Sequence, residues 1–76
     1  MSGKYPVLTG PELVRALEKL GFEAQRQKGS HLTMRRESDG RRATVPIHKG
    51  RDIPNGTLRG ILKDADVTAE QLLEVL

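Results

Sequence analysis

Apolar residues recur at helical spacing near both ends of the chain and alternate with polar residues between them. Leu13, Val14, Leu17 and Leu20 keep the i, i+3, i+4 rhythm of one helix face, leaving Arg15, Glu18 and Lys19 to water. Thr9-Gly10-Pro11-Glu12 supplies the start: a hydroxyl cap, a proline of helical φ, and an acid three residues past the cap. Gly21 is suited to end this helix. A second helix is predicted from Pro54-Asn55-Gly56-Thr57 through Leu58, Ile61 and Leu62. Gly60 inside it costs about 1 kcal/mol relative to alanine, so this helix depends on tertiary packing. A short third helix follows the capping pattern Thr68-Ala69-Glu70-Gln71 and ends in Leu72, Leu73, Val75 and Leu76, apolar enough to need a partner from the domain or from another chain.

Between the helices the period is two. Phe22 and Ala24 oppose Glu23, Gln25 and Gln27; Leu32 and Met34 oppose His31, Thr33 and Arg35; Ala43, Val45 and Ile47 give the inward set of a third strand from Arg41 to Ile47. Gly29-Ser30 and Ser38-Asp39-Gly40 are turn chemistry. Strict alternation would bury Arg26 and Lys28, so the first strand is expected to bulge, or to outrun the helix layer, near its end. Pro46 belongs near a strand end or on an edge. The economical arrangement is an α+β domain with a three-stranded antiparallel sheet and helices packed on one face, in the order α-β-β-β-α plus a short C-terminal helix. One domain is expected over residues 1–76, with residues 1–8 a lead-in that is mobile at its start and residues 68–76 a helical extension. The other face of the sheet stays open and carries His31, Thr33, Arg35, Arg42 and Thr44.

With only 76 residues, and Tyr5 and Phe22 as the sole aromatics, the core must be thin and aliphatic. The absence of cysteine excludes a disulfide framework and a thiol nucleophile. No apolar run reaches membrane-spanning length, and Met1 to Val7 lacks the apolar segment of a signal peptide, so a soluble, cytoplasmic chain with no membrane partner is expected. The net charge of +3 hides a segregation: residues 26–51 hold eight Lys or Arg against two acids, whereas the remainder holds five against eight. A basic centre between acidic helical segments suits a polyanion, with phosphate the obvious target; a merely solvated charged hairpin has the same composition.

Ser30 and His31 are adjacent on an extended chain and point to opposite faces, which argues against a Ser-His hydrolase. Metal binding finds no histidine pair at helical spacing, no cysteine and no dense acidic cluster, and Gly29 with Gly3 and Gly10 makes no phosphate loop. No cofactor is expected. What remains is a group able to move protons near neutral pH among cations. Cleaving RNA without metal requires a base for the 2′-OH, an acid for the departing 5′ oxygen and positive charge at the phosphate, and an imidazole suits the first two roles. Lys28, Arg35 and Arg42 are candidates for the third. Taken alone, His31 reads more readily as a strand residue hydrogen-bonded beside a turn, and Ser30 as that turn's residue. His48, before Lys49 and Gly50, reads as a solvated loop residue, and Met34 as core packing. Lys49 and Arg51 precede the free N–H groups of the second helix, a further place for phosphate.

Gly21-Phe22, Arg26-Gln27-Lys28-Gly29-Ser30-His31, Val45-Pro46 with His48, Asp52-Ile53-Pro54, and Gly56-Thr57-Leu58 leading to Ile61-Leu62 together resemble the HicA family of type II toxin components. The similarity runs from about Leu8 to Val67. It departs from the family pattern at Gly60, where a long polar residue is usual, and at Asp66, where glycine is usual. The resemblance implies a fold like that of double-stranded RNA-binding domains, a translation-independent mRNA interferase activity and neutralisation by a HicB antitoxin. It also maps the catalytic histidine of the Gly-Ser-His element onto His31. On this reading Lys28, Ser30, Arg35, Arg42 and Lys49 contact RNA phosphates, no metal takes part, and mRNA and a HicB-type antitoxin covering the basic face are the partners. The competing reading is an RNA-binding module of the same fold that does not cut.

Overall fold

The computed structural model describes residues 5–76; the first four residues of the lead-in lie outside them. Six elements follow in the anticipated order: α1 (Gly10–Lys19), β1 (Phe22–Lys28), β2 (His31–Arg36), β3 (Arg42–Pro46), α2 (Asn55–Ala65) and α3 (Ala69–Glu74). The strands form an antiparallel sheet in the order β1-β2-β3. Both larger helices meet this sheet through one apolar cluster, α1 against β1 and β3 and α2 against β3. The architecture is the α+β arrangement expected from the periodicity, and it is consistent with the double-stranded-RNA-binding-like fold that the resemblance implies.

Each helix forms where its local chemistry places it. Thr9 accepts from the Glu12 amide while the Glu12 carboxylate takes the Thr9 amide at 2.8 Å, so the anticipated capping box is complete. These bonds to the carboxylate, first from the Thr9 backbone and then from its hydroxyl, hold the Glu12 carboxyl below its usual range. Thr68 and Gln71 repeat the device at α3. At the start of α2, Pro54 offers no side-chain cap, and the N–H groups of its first turn receive none. That helix ends with Asp66 in the left-handed region, φ 56°, where its amide reaches back to the α2 carbonyls.

The core joins Leu13, Ala16 and Leu17 of α1 to Phe22, Met34, Ala43 and Val45 of the sheet and to Leu58, Ile61, Leu62 and Ala65 of α2. Leu72 closes it from α3, while Leu73 and Leu76, from the same apolar end, stay exposed. Val14, Leu20, Leu32 and Ile47 sit only partly buried at its margin. Gly10 marks the closest approach of helix to sheet, since a Cβ there would run into the Pro46 carbonyl oxygen.

β1 departs from strict alternation. Its pairing with β2 shifts between Ala24 and Arg26, an extra residue at Gln25 that turns Arg26 and Lys28 from the helix side to the open side. The bulge lies in mid-strand rather than near the end. Ala24, expected inward, is exposed, because β1 is an edge strand and the helices cover it only at Phe22. The open face is therefore built of three cross-strand rows: Lys28–His31–Pro46, Arg26–Thr33–Thr44 and Glu23–Arg35–Arg42.

Candidate functional site

The β1–β2 turn fixes where His31 stands. Gly29 has φ +60° and Ser30 does not share a positive φ, the pattern of a two-residue hairpin turn with glycine first. This locks Lys28 opposite His31. On the other side His31 faces Pro46, which has no N–H, and the ladder continues one step further through the Ile47 amide, which donates to the Ser30 carbonyl at 2.6 Å. Ser30 thus acts through its backbone, joining the strand end to the loop that follows β3.

That loop, residues 47–54, is fastened at both ends. The Ile53 amide donates to the Leu8 carbonyl at 2.7 Å, Asp52 bridges to Thr9, and the Ile53 side chain is buried. Between these anchors the Arg51 amide closes a turn onto the His48 carbonyl at 3.0 Å. The loop and the strand ends enclose a cavity of about 420 Å³. Its polar lining is His31, Thr44, His48, Arg51, Asp52 and Thr57. Pro46, Ile53 and Pro54 supply its apolar part.

The cavity brings two imidazoles, one guanidinium, one carboxylate and the uncapped first turn of α2 to one place. Such a site suits an anion: Arg51 and the helix N–H groups can take phosphate oxygens, and an imidazole can move a proton. Neither imidazole makes a hydrogen bond with any described residue, so neither ring is engaged in holding the fold.

A second hollow of about 290 Å³ lies on the sheet, lined by Gln25, Arg26, Thr33, Arg35 and Arg42. It abuts the first across the Thr33–Thr44 pair, one residue of which belongs to each. The candidate residues therefore divide. His31 lies in the cavity with Lys28 opposite it across the strands, whereas Arg35 and Arg42 lie in the sheet hollow, and exposed Lys49 lines neither.

His48 and Arg26 are the two residues that periodicity passed over. His48 lies two positions beyond the cross-strand partner of His31, a same-face offset that becomes visible once the β2–β3 register is known. Arg26 was detectable as a cation that strict alternation would bury, and the bulge at Gln25 resolves that conflict.

The remaining arginine of β2 is structural. Arg36 grips Asp39 with two bonds of 3.1 and 2.8 Å, donates to the Ala65 carbonyl at the end of α2, and lies over the Phe22 ring at 4.7 Å. The hydrogen bond from Arg36 is the main cause that holds the Asp39 carboxyl below its usual range. Among the described residues no three His, Cys, Asp or Glu side chains gather as metal ligands, and no helix is long and apolar enough to cross a membrane.

Compared with curated proteins, the chain has no match. Compared with protein families, residues 10–67 match the family described as HicA toxin of bacterial toxin-antitoxin. The matched segment runs from the first residue of α1 to just past α2 and contains the sheet, both hollows and the loop after β3. The chain belongs to the HicA toxin family, the toxin half of a bacterial toxin–antitoxin system, which implies an antitoxin partner.

Proposed function

We propose that this toxin is an endoribonuclease that cleaves mRNA without a metal ion, with His31 as a general acid or base. The observation that carries the reading is the exposed His31 imidazole in a cavity shared with Arg51 and the uncapped N-terminal turn of α2, beside a face rich in arginine. A phosphodiester seated there has its charge met by Arg51 and the helix N–H groups and a proton carrier at hand. Lys28, across the strand pair from His31, adds positive charge at the rim. Arg35 and Arg42 hold the flanking backbone on the sheet, and Lys49 and Ser30 serve at the loop and the turn. A HicB-type antitoxin neutralises the enzyme by covering this basic face.

RNA cleavage in the presence of a chelator, comparing wild type with His31→Ala, tests the proposal. The histidine variant should lose 10²–10⁴-fold in rate, the usual worth of an acid–base group. Undiminished cleavage removes His31 from the mechanism. Intact RNA with tight, strongly salt-dependent binding by the wild type identifies a module that recognises RNA without cutting it, a reading that the same basic face supports.

A further inference from the structure

Resting on the nuclease reading above, we propose that His48 is the second proton-transfer group of the site and that His31 and His48 divide the acid and base roles between them. Strand transfer from 2′-O needs two proton movements on opposite sides of phosphorus. As the P–O2′ bond forms, the 2′-OH proton passes to one imidazole. As the P–O5′ bond breaks, the departing 5′ oxygen takes a proton from the other. The products are a 2′,3′-cyclic phosphate and a free 5′-OH, with one imidazole protonated and one deprotonated at the end, so no water, metal or oxidant is consumed.

The geometry offers the two rings for these roles together. His31 is paired with Pro46, and His48 follows Pro46 by two residues, which on an extended chain returns the side chain to the same face. The ladder reaches as far as Ile47, whose amide holds the Ser30 carbonyl at 2.6 Å, one residue short of His48, and the shared cavity lining brings the His48 ring to the His31 side. Diagonal neighbours within a ladder stand about 7–8 Å apart, and the cavity of about 420 Å³ that both residues line has room for one phosphodiester. Both rings line one cavity, both residues are exposed, and neither ring is committed to a hydrogen bond within the described chain. Arg51 and Asp52 face the same space, supplying a cation for the phosphate and a carboxylate able to steady a protonated ring.

The test uses the full chain and two RNA substrates that share a site cut by the wild type, one ordinary and one with sulfur replacing the 5′ bridging oxygen. A thiolate leaves without protonation, so the sulfur substrate bypasses the general acid alone. His48→Ala and His48→Gln should each lose at least 10²-fold in kcat, with RNA affinity within about threefold of wild type and thermal unfolding unchanged. The sulfur substrate should restore the rate in either the His31→Ala or the His48→Ala protein, but not in both. Cleavage by the His48 variants within tenfold of wild type, with His31→Ala inactive, overturns the pairing and leaves the nuclease reading standing. Sulfur rescue in neither variant also overturns it. An inert wild type, or cleavage undiminished in His31→Ala, overturns the nuclease reading and the pairing with it.

Discussion

Removing the Arg26 and Arg42 guanidinium groups asks whether RNA runs along the sheet away from the cavity. Both residues are exposed on the open face, and neither takes part in the ion pairs found among the described residues, Arg35–Glu37 at 3.0 Å and Arg36–Asp39 at 2.8 Å. Rows on one face of a strand recur every two residues, about 6.6 Å. The Arg26 row therefore stands roughly 7 Å from the His31 row, and the Arg42 row roughly 13 Å. A phosphate held beside His31 leaves these arginines to its neighbours along the strand. Each phosphate neutralised on a single strand contributes about 0.7 to the slope of log affinity against log salt. The double variant Arg26→Ala, Arg42→Ala should thus flatten that slope by about 1.4. Its affinity defect should shrink roughly sevenfold between about 50 and 200 mM salt. Fluorescence anisotropy with a short labelled RNA, in a His31→Ala background that keeps the RNA whole, reads the slope directly. Arg35→Ala should flatten it less than either single change, because Glu37 already partly neutralises that guanidinium. Parallel salt lines, displaced but equally steep, would refute the track and assign the loss to a changed sheet instead.

Other outcomes follow from the packing. Gly60 sits mid-helix in α2 with open space where a Cβ would go, so Gly60→Ala should stabilise the domain by about 1 kcal/mol, raising Tm by about 4–8 °C. Gly10→Ala should do the reverse, by about 1–3 kcal/mol, since the added carbon meets backbone that cannot swing aside; denaturant unfolding of the two variants side by side checks both signs. Arg36→Ala should lower stability by about 2 kcal/mol through loss of the Asp39, Ala65 and Phe22 contacts, yet leave the salt slope of RNA binding unchanged. Glu12 and Asp39 have carboxyls held below their usual range, so their contribution is present above the ordinary carboxylate pKa and is lost as pH falls through the depressed values. Denaturant midpoints should therefore drop on acidification below about pH 4.5, and less steeply in Glu12→Gln and Asp39→Asn proteins.

Much of this was legible because local signals agreed with one another. Thr9 with Glu12 and Thr68 with Gln71 announce helix starts that form as complete capping boxes, and Gly29-Ser30 announces the turn that sets Lys28 against His31. Alternation in β2 and β3 assigned the open face correctly, His31, Thr33 and Arg35 beside Arg42 and Thr44. It failed at Ala24, where burial depends on how far the helices reach over an edge strand, a tertiary fact with no local mark. It passed over His48 for a related reason: a residue past the end of a strand has no face until the loop is fastened, and the fastening comes from Leu8 and Thr9, more than forty residues upstream.

Those distant contacts also explain why so thin a core can hold a site. Facing His31, the walls of the cavity come from the end of β3, the irregular loop after it and the first turn of α2. Besides the Ile47–Ser30 bond, they are held by a seam at the start of α1. Leu8 takes the Ile53 amide, Thr9 bridges Asp52 while capping α1, and Gly10 lets the helix start rest on the Pro46 carbonyl. Three consecutive residues thus tie the start of α1 to both ends of the loop that carries His48 and Arg51. Gly10→Ala should on this account cost more in cleavage than its stability loss alone requires, because it pushes on Pro46, the cross-strand partner of His31. A variant equally destabilised at Leu72, a buried residue of α3 that lines neither hollow, is the matched control. Equal activity in the folded fractions of the two would separate the seam from the chemistry; a deficit confined to Gly10→Ala would join them.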